Sequence, residues 1–195
     1  MAQSKGKITL ITPKERSVNR WSGGTTEELY IYPTSAKYAK MNFDFRVSIA
    51  TIEVEKSTFT PLPKVSRTTL ILDGEIELKH EGQYSKALKK FESDSYDGSW
   101  ETTSVGTCTD FNLMTRGKTT GKVETSNLED GQQIICPKGE HLIIYALSGR
   151  TAVVVKNDAH MLEEGCVLVL EKSSFPVIAK ALGESEVVLV AVNPF

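Results

Sequence analysis

The chain has 195 residues, 39% hydrophobic and 25% charged, with acidic and basic side chains mixed to a net charge of −2. That balance is typical of an ordinary soluble globular protein, one large domain or two small ones, and with no basic stripe or polybasic patch it argues against nucleic acid and membrane surfaces as partners. No apolar run approaches the roughly 20 residues of a membrane span, and residues 1–7 have no signal-peptide core behind them. The three widely spaced cysteines, Cys108, Cys136 and Cys166, read as free thiols of a reducing compartment, so the expected location is cytoplasmic.

In chain order, residues 7–12 read as a strand ended by Pro13, 16–26 as a Gly/Ser/Thr-rich loop holding Trp21, and 28–32 as a short strand closed by Pro33. A loop or helical turn follows over 35–41, then a long strand over 43–55. Pro61 and Pro63 keep 57–66 out of a central strand. Asp73-Gly74 between the β-rich runs 67–72 and 75–80 predicts a hairpin. Short strands follow near 87–91, 100–104 and 109–115, and 117–121 reads as a linker. Beyond it, 142–147, 150–155, 160–162, 166–171, 176–181 and 187–192 are all strand-like. No stretch of helical length shows a 3.6-residue apolar period, 86–91 being the one short rival. The chain is therefore expected to be all-β and antiparallel. The turn Leu72-Asp73-Gly74-Glu75 returns as Leu147-Ser148-Gly149-Arg150, and Glu81-Gly82 and Asn157-Asp158 follow at nearly the same offset. Such an ordered series points to a duplicated β-barrel unit.

Two strands carry the functional signal. In 43–50, Phe45, Val47 and Ile49 share one face while Arg46, Ser48 and Ala50 share the other; in 110–116, Phe111, Leu113 and Thr115 oppose Asp110, Asn112, Met114 and Arg116. Either strand alone is compatible with a plain half-buried strand facing water. If both polar faces look into one barrel, they make an anion-binding cavity, because arginine grips carboxylates with two prongs.

The ordered set Trp21-Ser22-Gly23-Gly24-Thr25-Thr26, Phe45-Arg46-Val47-Ser48-Ile49-Ala50, Phe59-Thr60-Pro61-Leu62 with Ser66-Arg67, Leu72-Asp73-Gly74 and Asp110-Phe111-Asn112-Leu113-Met114-Thr115-Arg116 resembles the HutD/Ves family. The resemblance implies a bicupin, that is, two RmlC-like jelly-roll barrels, here a first half over 1–120 with the pocket and a degenerate second half over 121–195. It also implies an accessory role in histidine utilisation and a ligand such as formylglutamate. The family commonly has a longer Trp-x-Asn-Gly-Gly-Gly-x-Thr-x-Glu run; here it is shorter and lacks the Asn, which leaves the role of Glu27 or Glu28 open.

Many cupins hold a metal through a His-x-His…Glu pattern ending in a turn glycine. Laid back from Gly74, the Glu place falls on Arg67 and the His places on Thr60 and Leu62 or on Pro61 and Pro63; from Gly149, the Glu place falls on Leu142. A later His place falls on Glu101. His80, His141 and His160 have no ligand spacing and read as surface or turn residues. Neither half carries a ligand set for a transition ion, so no metal or other cofactor is expected. Instead Arg46, Arg67 and Arg116 supply positive charge, with Ser48, Asp110 and Asn112 reading amide or hydroxyl groups, Met114 on the same face and Trp21 over the mouth. Taken singly, each arginine is equally a surface ion pair. No nucleophile–base pair is visible, and Gly23-Gly24 is too short for a phosphate loop. The leading expectation is a metal-free cupin binding a small anionic metabolite, with a homodimer left open. The alternatives are an isomerase or hydrolase using Asp110 or Glu101 as acid or base, and a stress-related interaction protein.

Overall fold

Period-two alternation, carried by β-branched and aromatic residues, accounts for the regular structure of this chain. The computed structural model describes residues 6–173 and 175–194. Among the described residues there are eighteen strands and two short 3-10 turns, Pro13–Glu15 and Tyr38–Lys40, and every strand pairing is antiparallel. Among the described residues no helix is long and apolar enough to cross a membrane.

The chain forms two units. One is Arg16–Thr119. The other joins the N-terminal stretch through Glu15 to Thr120–Pro194, because Lys7–Ile11 pairs with Val167–Glu171 rather than with its sequence neighbours.

In the first unit the strands run Val18–Trp21, Gly24–Tyr32, Phe45–Ile52, Cys108–Arg116, Val65–His80, Thr102–Val105 and Lys56–Phe59 in spatial order. The expected loop over 16–26 is thus a hairpin, and the helix rival at 86–91 is the end of the strand Tyr84–Lys89 and the turn after it. Val65–His80 corrects the expected hairpin at Asp73-Gly74: it is one strand of 16 residues. Its first half lies between Cys108–Arg116 and Ser93–Asp97, its second between Tyr84–Lys89 and Thr102–Val105. The two halves find different partners instead of each other. At the changeover Gly74 has φ +78, a bulge shifts the register between Thr109 and Asp110, and a Cβ on Gly74 would stand 2.5 Å from the Thr107 carbonyl oxygen. Glycine is required there by both backbone conformation and approach.

The second unit repeats the pairing plan. His141–Ser148 lies between Val167–Glu171 and Ser185–Asn193, as the first half of Val65–His80 lies between Ser93–Asp97 and Cys108–Arg116. Thr151–Val155 takes Asp158–Leu162 and Val177–Ala181, as the second half takes Tyr84–Lys89 and Thr102–Val105. Gly149, at φ +70, presses on the Glu184 carbonyl just before Ser185–Asn193, as Gly74 presses on Thr107 just before Cys108–Arg116. The duplication legible in the two glycine turns is therefore a duplication of the whole sheet plan. In this unit the space between the two sheets is packed with aliphatic side chains, among them Leu142, Ile144, Val153, Leu168, Ala179 and Leu189.

Candidate functional site

Three adjacent strands of the first unit aim polar side chains at one place. Residues directly opposite across a pair point to the same face, so Arg46, Met114 and Arg67 form one row, Ser48, Asn112 and Thr69 the next, and Ala50 and Asp110 a third. On the opposite face of the same strands Phe45, Val47, Phe111 and Leu113 are at most 2% exposed; Ile49, expected with them, is only half-buried. All of these row residues except the fully buried Thr69 line a cavity of about 430 Å³, together with Trp21, Tyr38, Phe59 and Thr60 among others.

Arg46 is held from three sides. Its Nε donates to Glu28 Oε2 at 2.7 Å, its Nη1 donates to Ser48 Oγ at 3.0 Å, and its guanidinium sits 4.4 Å from the Tyr38 ring centre. Arg67 is different. Its guanidinium lies 5.0 Å from the Phe59 ring centre and 5.5 Å from that of Tyr96, while its buried Nε has no hydrogen-bond partner among the described residues. Asp110 is 2% exposed. Its Oδ2 accepts from Asn112 Nδ2 at 3.0 Å, and Asn112 Oδ1 accepts from Thr69 Oγ1 at 3.1 Å. Since the Thr69 proton is committed, the 3.4 Å contact to Tyr96 is donated by the tyrosine hydroxyl. The chain Tyr96–Thr69–Asn112–Asp110 thus points every donor toward the carboxylate and leaves Asp110 Oδ1 buried and unpartnered among the described residues. Burial pushes the Asp110 carboxyl up to about 6, against the pull of the Asn112 hydrogen bond, the Arg67 charge and the backbone N–H groups of Asp110 and Ala50. Burial also raises Cys108, to about 12, which makes it a poor nucleophile.

Trp21 is set by its hairpin. A Cβ at Gly23 would collide with the indole ring, so only glycine allows the ring to fold back there. The ring packs beside Ile52 and Cys108, and its Nε1 is the third buried polar atom of the cavity lining without a partner among the described residues.

Of the residues singled out from sequence, Trp21, Arg46, Ser48, Arg67, Asp110, Asn112 and Met114 line this cavity. Arg116 does not: it lies at the end of its strand with its guanidinium 5.7 Å from the Phe43 ring centre. Glu101 is exposed, outside the lining, in the turn before Thr102–Val105. Ser48 accepts from Arg46, and Asn112 bridges Thr69 and Asp110. Glu28, whose role the shortened glycine run left open, anchors Arg46, and Glu27 accepts from Arg16 Nε at 3.1 Å. Sequence reasoning missed Thr69, although it lies two residues after Arg67 and so on the same face. It missed Tyr96, Phe59 and Tyr38, which act through rings and carried no such signal. His80 and His141, expected at the surface, are each 1% exposed. His80 belongs to a buried cluster: Nδ1 meets Thr102 Oγ1 at 2.8 Å, Nε2 meets Asp94 Oδ2 at 3.0 Å, and Tyr84 also donates to Asp94.

The donor set does not suit a transition metal. Among the described residues Asp110 is the one carboxylate of the lining, no histidine joins it, and the three guanidiniums of Arg20, Arg46 and Arg67 would repel a cation. Among the described residues no group of three or more His, Cys, Asp or Glu has metal-binding geometry. The duplicate unit provides an internal comparison. In matching register, the places of Arg67, Thr69, Asp110 and Asn112 are taken by Leu142, Ile144, Val187 and Leu189, all members of its aliphatic core.

Two antiparallel units on one jelly-roll plan define a bicupin. Solved structures of similar fold include the conserved protein PA5104 from Pseudomonas aeruginosa (TM-score 0.84, 18% identity, covering 96% of this chain and 99% of that one). HutD from Pseudomonas fluorescens follows at TM-score 0.75 and 17% identity, over 97% and 100% of the two chains. The nickel complex of the bacterial pirin YhhW from Escherichia coli reaches TM-score 0.71 at 13% identity, over 96% and 99%. No curated protein matches in sequence. The HutD family model matches residues 14–189, and the chain belongs to the HutD family.

Proposed function

We propose that the Arg16–Thr119 unit binds a small carboxylate-bearing metabolite without a metal, Arg67 receiving the carboxylate. The observation that carries this reading is Arg67 itself: a guanidinium held by two aromatic rings, its Nε buried and unpartnered among the described residues, lining a cavity of about 430 Å³. A buried donor without a partner is costly, and a charge-assisted bond to a carboxylate satisfies it. Family membership supports an accessory or regulatory role in histidine utilisation, with formylglutamate the first compound to try. The free, buried cysteines suit a cytoplasmic site of action.

Thermal-shift measurements with formylglutamate, urocanate and glutamate test the reading. At about 100 times its dissociation constant a ligand adds roughly 2.7 kcal/mol to folding. Arg67→Ala removes the shift, and Arg67→Lys restores part of it, since lysine keeps the charge and loses the fork. No shift with any anion, or an undiminished shift in Arg67→Ala, overturns it. A second reading, acid–base catalysis by Asp110, is favoured by one observation, the raised carboxyl with one oxygen unpartnered. Product appearing in NMR spectra of protein incubated with each compound would favour that reading over simple binding.

A further inference from the structure

Most polar atoms at the centre of the cavity are already committed. Both ends of the Asn112 amide are taken, Ser48 Oγ accepts from Arg46, and Arg46 Nε is on Glu28. Besides the Trp21 Nε1 donor, Arg67 Nε and Asp110 Oδ1 remain buried and unpartnered among the described residues, one a donor and the other an acceptor. Both residues line the one cavity, and the Arg67 charge acts on the Asp110 carboxyl.

We propose that this pair selects the ligand: a carboxylate bearing beside it a neutral N–H or O–H donor, which Asp110 Oδ1 accepts while Arg67 holds the carboxylate. The proposal rests on the carboxylate reading above and makes Asp110 the specificity-determining residue. A ligand offering a lone pair at that place would set it against a buried carboxylate oxygen. A free ammonium would bring three donors to a site with one uncommitted carboxylate oxygen and would add a positive charge beside two guanidiniums. N-acyl amino acids and 2-hydroxy acids meet the requirement; their esters and free amino acids do not.

The test is calorimetric titration of the full chain at pH 8 with N-acetylglutamate, its near-isosteric ester O-acetyl-2-hydroxyglutarate, and glutamate. The amide is expected to bind at least about 10-fold more tightly than the ester and than glutamate, because a site built for a donor rejects an analogue lacking it. In Asp110→Asn the Asn112 amide holds the new carbonyl oxygen and turns the new NH₂ toward the cavity, so the amide-over-ester preference disappears or reverses. A destabilised variant would not spare the proposal, since the ratio in the unaltered protein decides by itself. Amide and ester binding within twofold of each other, with binding still lost in Arg67→Ala, overturns this inference and leaves the carboxylate reading standing. An unchanged ratio in a folded Asp110→Asn overturns it as well. No binding by any of the three overturns both.

Discussion

Asp110 links the stability of the first unit to pH in a direction opposite to that of most carboxylates. Its carboxyl rises from the ordinary 3.8 to about 6 because burial disfavours the charged form more than Asn112 and Arg67 favour it; Cys108 and Tyr96, buried nearby, feel its charge in turn. A folded-state value above the unfolded one means that the folded chain holds the proton more tightly. The contribution to stability is therefore complete below about pH 4 and is lost as pH rises through about 6. A difference of about two pH units corresponds to about 3 kcal/mol at 1.36 kcal/mol per unit. Asp110→Asn removes the ionisation and keeps the shape. Relative to the unaltered protein, the variant should gain about 3 kcal/mol between pH 4 and pH 7.5, on the order of 10 °C in melting temperature for a unit of this size. Melting curves of both proteins across that range, with an NMR titration of the Asp110 side-chain carboxyl, measure it. Parallel pH profiles, or a carboxyl titrating near pH 4, would refute the argument that burial dominates this group.

Asp94→Ala should destabilise by about 3–5 kcal/mol, because it strands the buried His80 and takes the acceptor from Tyr84 and Lys86; urea unfolding checks this. Gly74→Ala should lose about 1–3 kcal/mol through its positive φ and the approach to the Thr107 carbonyl, a loss visible in the melting temperature. In a Trp100→Phe background the remaining indole, Trp21, should change its fluorescence on saturation with a binding carboxylate, because it lines the cavity. Protein purified without chelator should hold no stoichiometric transition metal by elemental analysis, and EDTA should leave ligand-induced melting shifts unchanged.

What could be read from sequence is what depends on neighbours one or two residues away. The inward face of Arg46–Ser48–Ala50 and of Asp110–Asn112–Met114 follows from strand alternation, and the cavity contains all six. The weak repeat read the second unit's plan through a pair of glycines. Asp73-Gly74 misled because the dipeptide specifies a positive φ, which a hairpin and a strand-crossing bulge satisfy equally. The Glu28–Arg46 pair comes from cross-strand register, since Glu28 lies opposite Ser48 and so on the face of Arg46, and alternation within one strand does not give that register. Burial of His80 follows from the far half of a 16-residue strand meeting partners from three other segments. Arg116 kept the right parity and was simply too far along the strand to reach the cavity.

The pairing of a hollow unit with a filled one bears on how new specificities arise. In the filled unit, shortening Leu142, Ile144 or Leu189 opens a void and costs about 2–5 kcal/mol. In the hollow unit some side chains on these rows border the cavity instead of a packed neighbour, so exchanging one such as Ala50 leaves little new void to penalise. The same backbone plan thus holds one copy under strict packing selection and leaves the other free to drift chemically, and directed evolution of binding preference should find its viable variants concentrated on the three rows around Asn112.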